Sequence, residues 1–310
     1  MKIVSFLPAA TKMIYDMGLQ EYLYGVTFEC PKEAADLPKV VRCVLEGKNY
    51  TSAEIDSIFS ASKAQGKSLY WVDEELLERI QPDVIFTQDT CEVCLIDTAC
   101  TLNSIANLSK QPVLVTLSPD NLNDVFDCAL KIAQTIGKEE VALHYLAGLK
   151  TKLDDIVDRL RATRAALKRV MIMEWIEPIY NCGHWIPFQV AAAGGVDMLS
   201  NPAGDSIVTK WEKVRKYNPE VLVIAPCGFD IQRSLEEMHL LYNNPGWADL
   251  EAVKNKAVYI ADFDLFTQPS IGTLVQGIEV LSAMFHPEIF IPEPHIAERF
   301  VNVFEQELVR

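Results

Sequence analysis

ELLERIQPDVIF at residues 75–86 and EKVRKYNPEVLV at residues 212–223 are two copies of one pattern. In each, a glutamate stands seven residues before a proline, an acidic residue follows the proline, and an apolar run follows that. Proline cannot continue a helix, and the residue before it is biased towards extended geometry. Each copy therefore predicts a helix, a break and a buried strand. One such unit in each half of a 310-residue chain implies two related lobes.

Outward from the first copy, strand and helix signals alternate. KIVSFL, YLYGVT, SLYWV, PDVIF and QPVLVTL are short apolar runs. Between them lie PAATKMIYDMGL, SAEIDSIFSASKAQG, DEELLERI and DTACTLNSIANL, which carry helical spacing. Strands separated by helices imply parallel βαβ units. From Leu122 to Leu167 the strand signal vanishes. LNDVFDCALKIAQTIG predicts a helix closed by Gly137, and Glu139–Leu167 reads as one long helix with a narrow stripe of Ala142, Leu146, Leu149, Leu153, Ile156 and Leu160. Alternation then resumes through RVMIMEWI, IPFQVAAAGG, WEKVRKYN, PEVLVIAP, SLEEMHLLYN, AVYIAD and SIGTLVQGIEVLSAMF, and HIAERFVNVFEQEL closes the chain. The fold class expected is α/β. Two Rossmann-like lobes with mainly parallel sheets, residues 1–121 and 168–310, are joined by a helical spine at 122–167, with a ligand cleft between the lobes.

A net charge of −15 disfavours nucleic acid and anionic membrane surfaces as partners, because both repel an acidic protein. No apolar run approaches the roughly 20 residues of a membrane span. MKIVSFL reads as a first strand and not as a leader, so the sequence suggests a cytoplasmic protein, or a periplasmic one if a leader has been removed. Eight cysteines in such a chain argue for free thiols. Cys43, Cys100, Cys128 and Cys182 read as small buried hydrophobes.

In open parallel sheets, ligands sit beyond the carboxyl ends of the strands. Cys91 and Cys227 each follow the strand of one repeat copy, which aims both at a common site. Pro8, Ala9, Glu29, Cys30, Trp175, His184, Trp185, Gly228 and Phe266 fall on the other loops expected at strand ends. Their aromatic surfaces and few polar groups suit a bulky, partly apolar ligand. Cys91 and Cys94 form a C-x-x-C pair, which with His184 and Cys227 makes a candidate zinc set. No G-x-S-x-G elbow, P-loop, H-E-x-x-H or dinucleotide fingerprint follows a strand.

Five segments carry a resemblance: TFEC (27–30), TQDTCEVC (87–94), GHWIP (183–187), WEKV (211–214) and PCGFD (226–230). With the opening MKIVSFLPAATKMIYDMGL, they make the chain resemble the helical-spine substrate-binding proteins of ABC importers. That group includes cobalamin-binding and ferric-siderophore-binding members, and the cobalamin-binding-like subgroup is most similar. The resemblance implies two lobes on one long helix, a bulky ligand such as cobalamin or another corrinoid or metal chelate, and, if the chain is exported, an ABC permease as partner. Where the family often reads R-P-G-P-R, this chain has Gln268-Pro269-Ser270-Ile271-Gly272. The missing arginines remove charges that could meet a ligand's side groups. The alternative expectation is a cytoplasmic zinc-dependent enzyme, with Cys91, Cys94, His184 and Cys227 holding the metal and Glu29 or Glu174 handling protons. A scavenger of free metal ions is the weakest reading, because the histidines are few and scattered.

Overall fold

The structure, a computed structural model, describes residues 1–88, 102, 104–106, 108–202 and 204–306. The chain packs as two compact units: Met1–Tyr50 with Glu54–Ala147, and Thr51–Ala53 with Gly148–Arg310.

In the first unit the strands are β1 (Ile3–Ser5), β2 (Leu23–Thr27), β3 (Lys39–Cys43), β4 (Tyr70–Val72), β5 (Val84–Thr87) and β6 (Val113–Thr116). They lie in the order β4-β3-β2-β1-β5-β6. Every pairing is parallel except β3 with β4 at one edge. β1 and β5 are buried along their whole length, as expected of central strands covered on both faces. The helices are α1 (Pro8–Asp16), α2 (Ser52–Gln65), α3 (Glu74–Ile80) and α4 (Leu122–Ile136). α4 starts on a capping box between Asn121 and Asp124 and closes on Gly137 at φ 75°.

α5 spans Glu139–Thr163. Ala142, Leu146 and Ile156 of its stripe are buried. The expected run to Leu167 is too long. Arg164 turns left-handed at φ 52°, and the Ala165 N–H bonds back to the Leu160 carbonyl, ending the helix ahead of β7.

In the second unit β7 (Lys168–Met173), β8 (Gly195–Val196), β9 (Val221–Ile224), β10 (Val258–Ala261) and β11 (Phe300–Asn302) lie in the order β11-β10-β9-β7-β8. Only the β10–β11 edge pair is antiparallel among these strands. α6 (Ile186–Ala192), α7 (Trp211–Tyr217), α8 (Ile231–Tyr242) and the almost wholly buried α9 (Ile271–Phe285) cover it.

The repeated pattern builds the same junction twice. α3 ends on Gln81 (φ 51°, ψ 62°) and α7 ends on Asn218 (φ 53°, ψ 68°), each just before its proline. The acid after the proline then grips the neighbouring central strand. Asp83 accepts from the Lys2 N–H at 2.6 Å while its own N–H donates to the Lys2 carbonyl at 2.8 Å. Glu220 accepts from the Arg169 N–H at 2.9 Å and donates to the Arg169 carbonyl at 2.7 Å. The basic side chain closes the circuit by capping the preceding helix. Lys2 Nζ donates to the Ile80 carbonyl at 3.0 Å and Arg169 Nε to the Asn218 carbonyl at 2.9 Å. These bonds set the registers of β1 with β5 and of β7 with β9.

Replacing Glu220 by Ala strips the partly buried Arg169 amide of its partner. It should lower the stability of the second unit by roughly 1–3 kcal/mol. Urea unfolding followed by tryptophan fluorescence reads this directly, because Trp211 and Trp247 stack 6.1 Å apart in that unit's core. An unchanged midpoint would show that the junction does not hold the strand.

Candidate ligand-binding site

In the first unit, β1 passes through Ser5 into α1. The Ser5 hydroxyl donates to the Leu7 carbonyl at 2.8 Å, and Pro8 opens the helix. Pro8 and Ala9 are buried, so they shape the backbone at the strand end. β2 ends in a tight turn closed by the Cys30 N–H on the Thr27 carbonyl at 3.3 Å. Thr27 is wholly buried and its hydroxyl has no hydrogen-bond partner among the described residues, while the Phe28 ring stacks 6.1 Å from Tyr70. The Cys30 thiol donates to the Ala34 carbonyl at 3.4 Å.

Glu29 sits at the tip of this turn. Its side chain is exposed. Desolvation pushes its carboxyl up to about 7, and the charge of Glu46 adds to the shift. Water still reaches the group, so the shift carries little stability. Glu46 itself is held by Arg42, at 2.8 Å, and by the Cys43 N–H at 2.6 Å. Cys91 and Cys94 lie outside the described residues, past Gln88.

In the second unit the expected residues form one connected group. At the end of β7, the Glu174 carbonyl accepts from the Cys227 N–H at 3.1 Å, joining the loops after β7 and β9. Trp175 Nε1 donates to the carbonyls of Ser52 and Glu177, and its ring lies 5.1 Å from Phe229. Cys227 and Gly228 are exposed at the tip of a turn closed by the Phe229 N–H on the Pro226 carbonyl, with Gly228 at φ 79°. Gly183 is dictated by sterics, since a Cβ there would fall 2.4 Å from the Gly204 carbonyl oxygen. His184 follows at φ 52° and donates its N–H to the same carbonyl at 2.9 Å. Its ring is 5.3 Å from Trp185, and its Nε2 is 3.7 Å from Asp205.

The expectation that Trp185 and Phe266 wall a ligand is corrected. Phe266 has no exposed surface and Trp185 keeps 7%; Trp185 Nε1 donates to the Phe266 carbonyl at 2.6 Å. Both rings belong to the core beneath the loops.

Sequence reasoning missed the 204–208 segment. Ser206 Oγ donates to Glu174 Oε2, which ties this Gly-Asp-Ser loop to the end of β7. Burial pushes the Glu174 carboxyl up to about 8, against the opposing effect of Ser206. The clue in the sequence was NPAGDS at 201–206, a run rich in turn-forming residue types. Among the described residues, no group of three or more His, Cys, Asp or Glu side chains is arranged to hold a metal ion.

The family model described as periplasmic binding protein matches residues 71–265. The chain belongs to this family. An uncharacterized ABC transporter substrate-binding lipoprotein of Bacillus subtilis, YvrC, is 24% identical over 300 residues, spanning 93% of this chain and 81% of the relative. A periplasmic heme-binding protein of Pseudomonas aeruginosa aligns with a TM-score of 0.72 at 17% identity, over 95% of this chain and 96% of that one. The periplasmic vitamin B12-binding protein BtuF of Vibrio cholerae aligns at 0.63 and 17% identity, over 92% and 96%. The periplasmic binding protein fold, two lobes of mainly parallel sheet with helices, is the architecture expected from the repeat.

Glu174 gives a pH signature. An acid held near 8 when folded but near 4.5 when unfolded binds more protons in the folded state between those values. Its favourable contribution is fully present below about pH 4.5 and is lost as pH rises through 8. Glu174→Gln should therefore match the parent in melting temperature at pH 5 and exceed it by several degrees at pH 9. A gap that does not change with pH would contradict the raised carboxyl.

Proposed function

We propose that this periplasmic binding protein is the substrate-binding component of an ABC importer and that it takes a bulky metal chelate of the cobalamin, heme or ferric-siderophore kind. The observation that carries this reading is the near full-length match to an ABC transporter substrate-binding lipoprotein, together with the fold shared with heme- and B12-binding proteins. Loops at the carboxyl ends of the strands supply the contacts: Glu29 and Cys30 in the first unit; Glu174, Trp175, His184, Cys227 and Gly228 in the second. Such loops combine aromatic surface with a few polar groups, the usual make-up of a cofactor site. Residues 1–121 and 168–310 are the ligand-holding lobes and 122–167 the connecting helical segment.

Within that class, cobalamin or a related corrinoid is the finer reading, and it rests on the TFEC, GHWIP and PCGFD segments. His184, half-buried beside Trp185, is the candidate to approach a chelated metal. The partner that receives the ligand is an ABC permease, and the lipoprotein relative supports a place outside the cytoplasmic membrane. No helix among the described residues is long and apolar enough to cross a membrane. Neither the comparisons nor the described residues support the zinc-enzyme alternative or a cytoplasmic place.

Titration of tryptophan fluorescence with cyanocobalamin, hemin and a ferric hydroxamate tests the proposal, because Trp175 lies in one of the proposed loops. At least one should bind one-to-one with a dissociation constant below about 10 μM, and Trp175→Ala should weaken it at least tenfold. No binding of any of the three up to about 100 μM would overturn the reading.

A further inference from the structure

In the second unit, residues 204–208 form a short arm that reaches the end of β7. Gly204 and Ser206 are half-buried, Asp205 is exposed, and Ile207 and Val208 keep 52% and 53% of their surface. None of the five is buried in a core, and hydrogen bonds hold them in place. The Gly204 carbonyl accepts from the His184 N–H at 2.9 Å, and the Ile207 carbonyl accepts from the Asn181 N–H at 3.1 Å. The Ile207 N–H donates to Asn181 Oδ1 at 2.7 Å. Just beyond the arm, the Thr209 N–H donates to the Ile179 carbonyl at 2.8 Å. A segment held by such bonds, with little buried apolar surface, opens at the low end of a protein's range of free energies.

The arm closes over one carboxyl, that of Glu174, which accepts from Ser206 Oγ. No lysine or arginine is paired with Glu174 among the described residues. The titratable groups around it supply no compensating cation. Cys182 is wholly buried, feels the charge of Glu174, and donates its thiol to Asp197 at 3.6 Å. Asp197 is buried and held by the amides of Ile172, Leu199 and Ser200. Tyr217 faces Asp197 and donates its hydroxyl to the Val196 carbonyl. The main chain of Glu174 bonds to the Tyr180 carbonyl and to the Cys227 N–H. His184, the one group among these that can carry positive charge, lies 3.7 Å from Asp205.

We propose that residues 204–208 are a proton-operated arm over the 181–185 loop, seated while Glu174 is protonated and lifted when that proton leaves. With the arm seated, an ionised Glu174 is a poorly hydrated anion with one hydroxyl donor and no paired cation; with the arm lifted, water reaches it. The push of the seated carboxyl to about 8, from an ordinary value of 4.5, agrees with this geometry. Lifting therefore releases a proton between those two values. It becomes easier as pH rises towards 8 and stops changing above it. Because the Gly204 carbonyl holds the His184 amide, lifting also frees the loop to which the proposed function assigns ligand contacts. That consequence rests on the function proposed above, whereas the arm itself does not.

Amide exchange of the unliganded protein from pH 6 to pH 9 tests the arm, with rates expressed as protection factors to remove the base catalysis of exchange itself. Protection of the Ile207, Asn181 and His184 N–H groups should fall about fifty-fold between pH 6 and pH 8, and only about twofold further beyond. The amides of β9, in the same unit, should keep their protection throughout. Glu174→Gln retains an acceptor for Ser206 and cannot ionise, so its arm amides should hold the same protection at every pH. Three results would overturn the proposal: arm protection that ignores pH, a fall that is equal in Glu174→Gln, or a fall at β9 in step with the arm. Since no ligand takes part, any of them leaves the proposed function standing.

Discussion

The reciprocal grip between a post-proline acid and the backbone of the neighbouring central strand organises both halves of this protein. Asp83 with Lys2 and Glu220 with Arg169 each exchange two hydrogen bonds, and the basic side chain caps the helix that came before. Such a junction satisfies groups that a helix end and a strand start would otherwise leave unpaired. It also fixes where each central strand starts. A shift of one residue would exchange the strand's two faces and displace the loop that follows. Helix ending, strand register and loop position are therefore one constraint, written twice.

From that constraint the chemistry of the loops follows. The loops beyond the strand ends carry Glu29, Glu174, Trp175 and His184. Burial pushes the Glu174 carboxyl up to about 8, which favours its protonated form near neutral pH. Glu174 and Ser206 tie the segment after β8 to the end of β7, and the Gly183–Gly204 approach allows no side chain at Gly183. The loops of the second unit are thus positioned by bonds among themselves before any ligand arrives, which limits the ordering cost of binding.

The sequence made much of this readable and concealed the rest for physical reasons. The two pattern copies exposed both junctions because proline and the acid after it have fixed mechanical roles. Gly137 marked the end of α4, and the Ala142–Leu160 stripe marked α5. The stop at Arg164 was hidden, since a left-handed arginine carries no compositional signal. β3 went unread because Arg42 interrupts a five-residue run, and β8 because two residues make no pattern. Phe266 was placed by sequence on a strand-end loop. It is wholly buried, and its carbonyl accepts from Trp185 Nε1, eighty-one residues away in sequence. Ser206 was missed for the same reason, its role being set by a partner thirty-two residues away.

Hydrogen–deuterium exchange with and without a bound chelate tests the central claim most directly. The account predicts slowed exchange at the strand-end loops, residues 27–30, 174–185 and 225–230, and no change at the strand-start side around 137–141 and 251–257. Protection confined to the strand-start segments, with the loops unaltered, would contradict it.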